Sequence, residues 1–216
     1  MRIGIFDSGI GGEAIANTIR TMLPQAEVIS VNDHKNVPYG NREPQDIINL
    51  TNLAIQPLIS ADCDVIVIAC NTATTVAITS LRLAYPDQKF IGIEPMIKPA
   101  SQMTRTGNIA VCATIRTLES ARYQELKNTW AKHINVIEPD CSKWAGIIEQ
   151  GESDKIDIQS LISNLSSKNA DVIVLGCTHF HWLKQKMTDE APGIKILEPS
   201  DSIVERIKSL IGPIAH

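Results

Sequence analysis

The phrase Asp64-Val-Ile-Val-Ile-Ala-Cys70 returns as Asp171-Val-Ile-Val-Leu-Gly-Cys177, displaced by 107 positions. A continuous apolar run between an aspartate and a cysteine reads as a strand buried on both faces, as in a parallel sheet covered by helices. A fainter echo links Ile3-Gly-Ile-Phe-Asp-Ser8 to Ile109-Ala-Val-Cys-Ala-Thr114, 106 positions on. Chance similarity between apolar strands does not readily produce two offsets that agree to one residue. The chain reads as two copies of one unit.

Working outward, Val28–Val31, Ile91–Ile93 and Ile194–Leu197 read as further strands. Helical periods lie between them. Ile15, Ile19, Met22 and Leu23 share one face; Leu118, Ala121, Arg122 and Glu125 start another; Ile158, Leu161, Ile162 and Leu165 form a third. This alternation predicts right-handed βαβ crossovers. The expected fold is α/β: two pseudo-symmetric flavodoxin-like lobes with mostly parallel sheets and an active site in the cleft between them. The expected lobes are 1–95 and 96–199, with a last helix at about 200–216 packed back on the first.

Composition narrows the function. The 216 residues are 44% hydrophobic and 20% charged, ordinary globular values. Acidic residues outnumber basic ones by 24 to 20, and no basic cluster occurs, so nucleic acid is not an expected partner. The longest apolar runs, such as Val65–Cys70, are about a third of a membrane span, so no membrane partner is expected. The N-terminus runs straight into Ile3-Gly-Ile-Phe6 without a signal peptide, and five cysteines read as reduced thiols. The expected compartment is the cytoplasm.

In open α/β sheets ligands bind beyond the carboxyl ends of the strands. Four such ends carry compact polar groups here: Asp7-Ser8-Gly9, Cys70-Asn71-Thr72, Ala113-Thr114 with Thr117, and Cys177-Thr178-His179. Each precedes a predicted helix, whose N–H groups and dipole favour an anion. The neutral Ser, Thr and Asn donors suit a small carboxylate better than a nucleotide. Gly9, Gly11 and Gly12 form G-x-G-G, which falls short of the dinucleotide fingerprint.

Cys70 and Cys177 are the sharpest feature. Each ends a strand and opens a helix, a setting that favours a thiolate. Two thiols facing one another across a cleft could address opposite faces of one carbon. One would remove a proton while the other donates one, which inverts a stereocentre. Asp7 and His179, in the neighbouring strand-end clusters, could tune the thiols or relay protons.

Plainer readings cover the rest. Cys63, Cys112 and Cys141 read as small core residues, and Thr72 and Thr178 as helix N-caps as well as ligands. A zinc site from Cys70, Cys177, His179 and Asp7 would have no C-x-x-C pair, so no metal is expected. A redox pair is disfavoured, because two thiols with a substrate between them stand too far apart to bridge. His34, His133 and His216 read as solvated, and Asp64 and Asp171 as loop groups.

Phe6-Asp-Ser-Gly-Ile-Gly-Gly12, Pro38-Tyr39-Gly40, Ala69-Cys-Asn-Thr-Ala-Thr74 and Gly176-Cys-Thr-His-Phe180 resemble the glutamate racemase family, within the aspartate/glutamate racemases. Weaker matches run through Ile93-Glu94-Pro95, Thr114 with Thr117, Cys141 followed by Glu149, and Glu198-Pro199-Ser200. The resemblance implies cofactor-independent, two-base interconversion of L- and D-glutamate, supplying peptidoglycan synthesis, by a homodimer. It implies that Cys70 and Cys177 exchange the proton, Asp7 assisting Cys70, and His179 with Glu149 assisting Cys177. Asp7, Ser8, Tyr39, Gly40, Asn71, Thr72, Thr178 and His179 would contact substrate, with Thr114 and Thr117 beside them. The chain departs from the family pattern at Glu13-Ala14, at Ser142 and Trp144, and at His181-Trp182, where a proline is usual. A racemase for aspartate or another amino acid, and a silent homologue that only binds a small carboxylate, are the alternatives.

Overall fold

The computed structural model describes residues 1–211. Its strands are β1 (Arg2–Asp7), β2 (Glu27–Asn32), β3 (Val65–Ile68), β4 (Phe90–Gly92), β5 (Asn108–Ala113), β6 (Asn135–Ile137), β7 (Val172–Gly176) and β8 (Lys195–Leu197). In the first half the helices are α1 (Gly12–Met22), α2 (Pro44–Ala54), α3 (Gln56–Ser60) and α4 (Asn71–Ala84). Then come α5 (Ile97–Met103), α6 (Ile115–Glu119), α7 (Ala121–Trp130), α8 (Trp144–Glu149), α9 (Ile158–Ser167), α10 (Lys184–Glu190) and α11 (Ser200–Ile211). Chain contacts define one unit from Met1–Ile93 with the segment from Pro199 onward, and a second from Glu94–Glu198.

Each unit holds one four-stranded parallel sheet, ordered β2-β1-β3-β4 in the first and β6-β5-β7-β8 in the second. The repeated phrase is thus a repeated topology, with β3 and β7 beside the strands of the fainter echo. Register pairs Ile3 with Val65 and Ile109 with Val172. Asp7 therefore ends its strand on the same sheet edge as Cys70, and Thr114 on the same edge as Cys177.

Alternation along the strands explains the unbroken apolar runs. In the first sheet Ile3, Ile5, Val65 and Val67 pack on Ile15, Ile19, Ile203, Val204 and Ile207, the apolar faces of α1 and α11. Phe6, Ile66 and Ile68 face the other way, onto Ile47, Leu58, Ile78 and Leu81. Both faces are covered, so a polar residue has no tolerable place in β3. Full burial of each such side chain contributes about 1.5–3 kcal/mol relative to exposure. In the second sheet Ile109, Val111, Val172 and Val174 pack on Ile97, Ala100 and Tyr123.

The structure departs from the sequence reading in several places. β6 was not expected: it has three residues, and Asn135 is exposed while its neighbours are half-buried. The helix expected from Leu118 onward is broken at Ser120, whose Oγ accepts from the Tyr123 N–H at 3.1 Å and donates to the Thr117 carbonyl at 2.7 Å. That serine closes α6 and caps α7. Met22 is 41% exposed although Ile15, Ile19 and Leu23 beside it are buried. Residues 212–216 of the expected last helix, and His216, lie outside the described residues. Among the described residues no helix is long and apolar enough to cross a membrane.

Asp64 and Asp171 lie in loops just before their strands, as expected, and both carboxylates are hydrogen-bonded there. Asp64 Oδ2 accepts from the Arg2 N–H at 2.7 Å. Asp171 accepts from the Thr104 hydroxyl at 2.5 Å and from the N–H groups of Arg105 and Thr106 at 2.6 and 3.1 Å. Burial raises the Asp171 carboxyl, but these donors outweigh it and hold the group below the ordinary carboxylate range. The Asp64 carboxylate thus ties the start of β3 to β1, and the Asp171 carboxylate ties the start of β7 to the segment that leads into β5, at the edge opposite the cysteines.

Candidate active site

In the first unit the polar groups gather at the C-terminal ends of β1 and β3. Asp7 is fully buried, and its Oδ1 accepts from the Gly9 N–H at 2.8 Å. Room for it comes from Gly12. A Cβ built there would lie 2.4 Å from the Asp7 Cβ, well inside contact distance. The glycine-rich turn therefore clears space for a carboxylate. Gly12→Ala is expected to cost about 1–3 kcal/mol through overpacking and to lower activity by displacing Asp7. Thermal melting and steady-state kinetics check this, and an unchanged melting temperature with full activity would contradict it.

Cys70, not Thr72, is the N-cap of α4. Its backbone is extended and its Sγ accepts from the Ala73 N–H at 3.4 Å. A thiol replaces the usual capping hydroxyl, with the positive end of a 14-residue helix aimed at the sulfur. The Ser8 Oγ lies 3.2 Å from the same Sγ. Asn71 and Thr72 follow in the first helical turn, both buried. Neither amide atom of Asn71 has a hydrogen-bond partner among the described residues. Leaving such a group buried and unpaired costs about 1–3 kcal/mol, which points to a ligand role. Tyr39 and Gly40 are also buried, in the 3₁₀ turn Tyr39–Asn41.

In the second unit Thr114 is the N-cap of α6, its Oγ1 accepting from the Thr117 N–H at 3.3 Å. The two hydroxyl oxygens are 3.0 Å apart and both residues are buried. Cys177, not Thr178, is the N-cap of the 3₁₀ helix Thr178–Leu183. His179 joins thiol to carboxylate. Its Nδ1 lies 3.7 Å from the Cys177 Sγ and its Nε2 lies 2.5 Å from Glu149 Oε1. Glu149 closes α8, and the Trp144 ring meets Phe180 edge-on at 5.2 Å. That aromatic contact packs α8 on the 3₁₀ helix and brings Glu149 to His179.

The remaining cysteines lie in the core. Burial pushes the Cys63 thiol up, and hydrogen bonding to Cys112 with burial pushes Cys141 up. Both stay protonated, the opposite of what a nucleophile or base needs. Of the departing pair that follows Phe180, His181 points inward and Trp182 is 57% exposed. The His181 Nε2 sits 3.6 Å from Glu198 Oε2, and burial holds the imidazole below its ordinary pKa. Among the described residues no group of three or more His, Cys, Asp or Glu side chains could hold a metal ion.

Sequence reasoning missed two contributors. Gly12 stood only in a G-x-G-G turn that falls short of the dinucleotide fingerprint, because its steric role needs Asp7 in three dimensions. Asp33 was not singled out, although Asp33-x-x-Asn36 directly after a strand is an Asx-type turn signal.

Residues 13–207 match the family model described as Asp/Glu/Hydantoin racemase. A glutamate racemase from Pseudomonas syringae pv. tomato is 32% identical over 214 residues, covering 97% of this chain and 78% of that protein. Among solved structures, Escherichia coli glutamate racemase in complex with L-glutamate and the activator UDP-MurNAc-Ala superposes with a TM-score of 0.83. It is 29% identical, with 97% of this chain and 82% of that chain covered. The Francisella tularensis glutamate racemase in complex with D-glutamate gives 0.81 at 26% identity, covering 97% and 80%. The family match spans most of the chain, and both strand-end cysteine elements fall within it: the chain belongs to the Asp/Glu/Hydantoin racemase family.

Proposed function

We propose that this racemase interconverts L- and D-glutamate without a cofactor, Cys70 and Cys177 exchanging the α-proton on opposite faces. The observation that carries the reading is that each strand-end cysteine stands at the N-cap position of a helix and its thiol has its own polar partner. Cys70 has the Ser8 hydroxyl and the Ala73 N–H, and Cys177 has His179 backed by Glu149. The substrate follows from the relatives, which are named glutamate racemases, and from the two solved structures that hold L- and D-glutamate.

The chemical difficulty is the weak acidity of the α-proton. Negative charge develops on the α-carbon and its carboxylate, and prealigned donors must meet it. The buried amide of Asn71 and the hydroxyls of Ser8, Thr72, Thr114, Thr117 and Thr178 are of the right type. Asp7 assists proton transfer at Cys70, and His179 with Glu149 at Cys177. Tyr39 and Gly40 complete the substrate contacts. In this reading the enzyme is a cytoplasmic homodimer supplying D-glutamate for peptidoglycan. Five free thiols suit a reducing compartment.

A comparison of kcat/KM for glutamate and aspartate, followed by polarimetry, tests the substrate. Glutamate is expected to win by roughly 10- to 200-fold, the range one methylene commands in a fitted pocket. Preference for aspartate, or binding of glutamate without any change in rotation, would overturn the reading.

A further inference from the structure

Asp33 follows β2 directly, and its carboxylate collects donors from two residues. The Tyr39 hydroxyl donates to Oδ2 at 2.7 Å, and the Asn36 Nδ2 lies 3.0 Å from each carboxylate oxygen. Its own N–H donates to the Asp7 carbonyl at 3.0 Å, which extends the β1–β2 ladder by one step. Asp33 is thereby fixed to the strand end that carries Asp7. The Asn36 N–H returns to the Asp33 carbonyl at 3.1 Å, and Arg42 Nε donates to the Asn36 carbonyl at 2.7 Å.

Tyr39 is held at both ends. Its ring tilts against Phe6 with centroids 6.2 Å apart, while its hydroxyl is bound to Asp33. A phenol has one proton, and here that proton goes to Asp33, so none is left to donate to a substrate carboxylate. Burial, and then the Asp33 contact, hold the phenol well above its ordinary pKa, so it stays protonated. What this segment can present to a substrate is the main chain around Tyr39 and Gly40.

We propose that Asp33 is a positioning residue for substrate binding, holding Tyr39 and Asn36 so that the Tyr39-Gly40 main chain is set before substrate arrives. The proposal rests on the glutamate reading above. Ordering the segment in advance removes that cost from binding, so the effect falls on KM more than on kcat.

The test uses the full chain carrying Asp33→Ala, Asp33→Asn, Tyr39→Phe, or Asp33→Ala with Tyr39→Phe. Each is assayed with L-glutamate and by hydrogen-exchange mass spectrometry. Asp33→Ala and Tyr39→Phe are each expected to raise KM about tenfold with kcat within about threefold. The double variant should be no worse than the worse single one, as for groups acting as a unit. Asp33→Asn keeps an acceptor for Tyr39 and should recover most of the KM. Amide exchange across residues 36–42 should quicken in Asp33→Ala and return in Asp33→Asn. Unchanged KM in both single variants, multiplying losses in the double, or unchanged exchange would overturn the proposal. A wild type that leaves glutamate untouched overturns the glutamate reading instead. The exchange arm then still decides the clamp: faster exchange supports it, and unchanged exchange removes it.

Discussion

Cys70→Ala and Cys177→Ala are each expected to lower racemisation by about 10²- to 10⁴-fold or more, the scale of losing a positioned proton donor or acceptor. A single remaining thiol can take the α-proton from its own face and return a proton only to that face. Inversion stops, but exchange need not. Each variant is expected to wash the α-proton of one enantiomer into D₂O without changing its handedness, and the two variants should favour opposite enantiomers. The double variant should exchange neither. Proton NMR of L- and D-glutamate incubated separately with each variant reads all of this. Normal turnover by either single variant would end the two-thiol mechanism.

The second large effect is expected at His179. Its imidazole is the only group joined both to the Cys177 sulfur, at 3.7 Å, and to a carboxylate, Glu149 at 2.5 Å, among the contacts of the described residues. In the proposed mechanism His179→Ala removes the group that passes a proton to or from the thiol, and kcat should fall about 10²- to 10³-fold. Glu149→Gln keeps an acceptor for the imidazole but removes the charge that stabilises its protonated form, so about tenfold is expected. L- and D-glutamate are equal in free energy, so kcat/KM must fall equally in both directions. The asymmetry of the site shows in the isotope effect instead. With α-deuterated substrate, the direction in which Cys177 removes the deuteron should show the larger rise. Equal isotope effects, or a loss confined to KM, would place His179 in binding and not in proton transfer.

The fold was legible because its central strands are covered on both faces. Val65–Ile68 and Val172–Leu175 have no solvent side, so no polar residue interrupts them, and the duplication stands out in the letters. Elements with a wet face were harder to read. β6 offers only three residues at a sheet edge, and α2 buries only Ile47 and Thr51 while Leu53 lies 70% exposed. The break at Ser120 depends on a hydrogen bond to Tyr123 that competes with continuing the helix, which periodicity alone does not weigh.

The site was legible in a different way. Cys70 and Cys177 stood out from position, since each ends an apolar run and begins a polar cluster. His179 and Glu149 are separated by 30 residues, and no spacing rule connects them; only the family resemblance paired them. The packing of Trp144 on Phe180 supplies the physical reason, at a position where the chain departs from the usual pattern. Asp33 escaped because its role runs through Tyr39, a contact that exists only once the segment has folded back on β1.

The central claim is that the proton removed and the proton delivered belong to different thiols. The direct measurement is L-glutamate turned over in D₂O to a few per cent conversion, with both enantiomers separated and their α-deuterium content read by mass spectrometry. If two thiols act, the D-glutamate formed carries deuterium, donated by a thiol already exchanged with solvent, while the remaining L-glutamate keeps its protium. Deuterium rising equally in both pools from the first turnovers would mean that one base serves both faces, and would contradict the account.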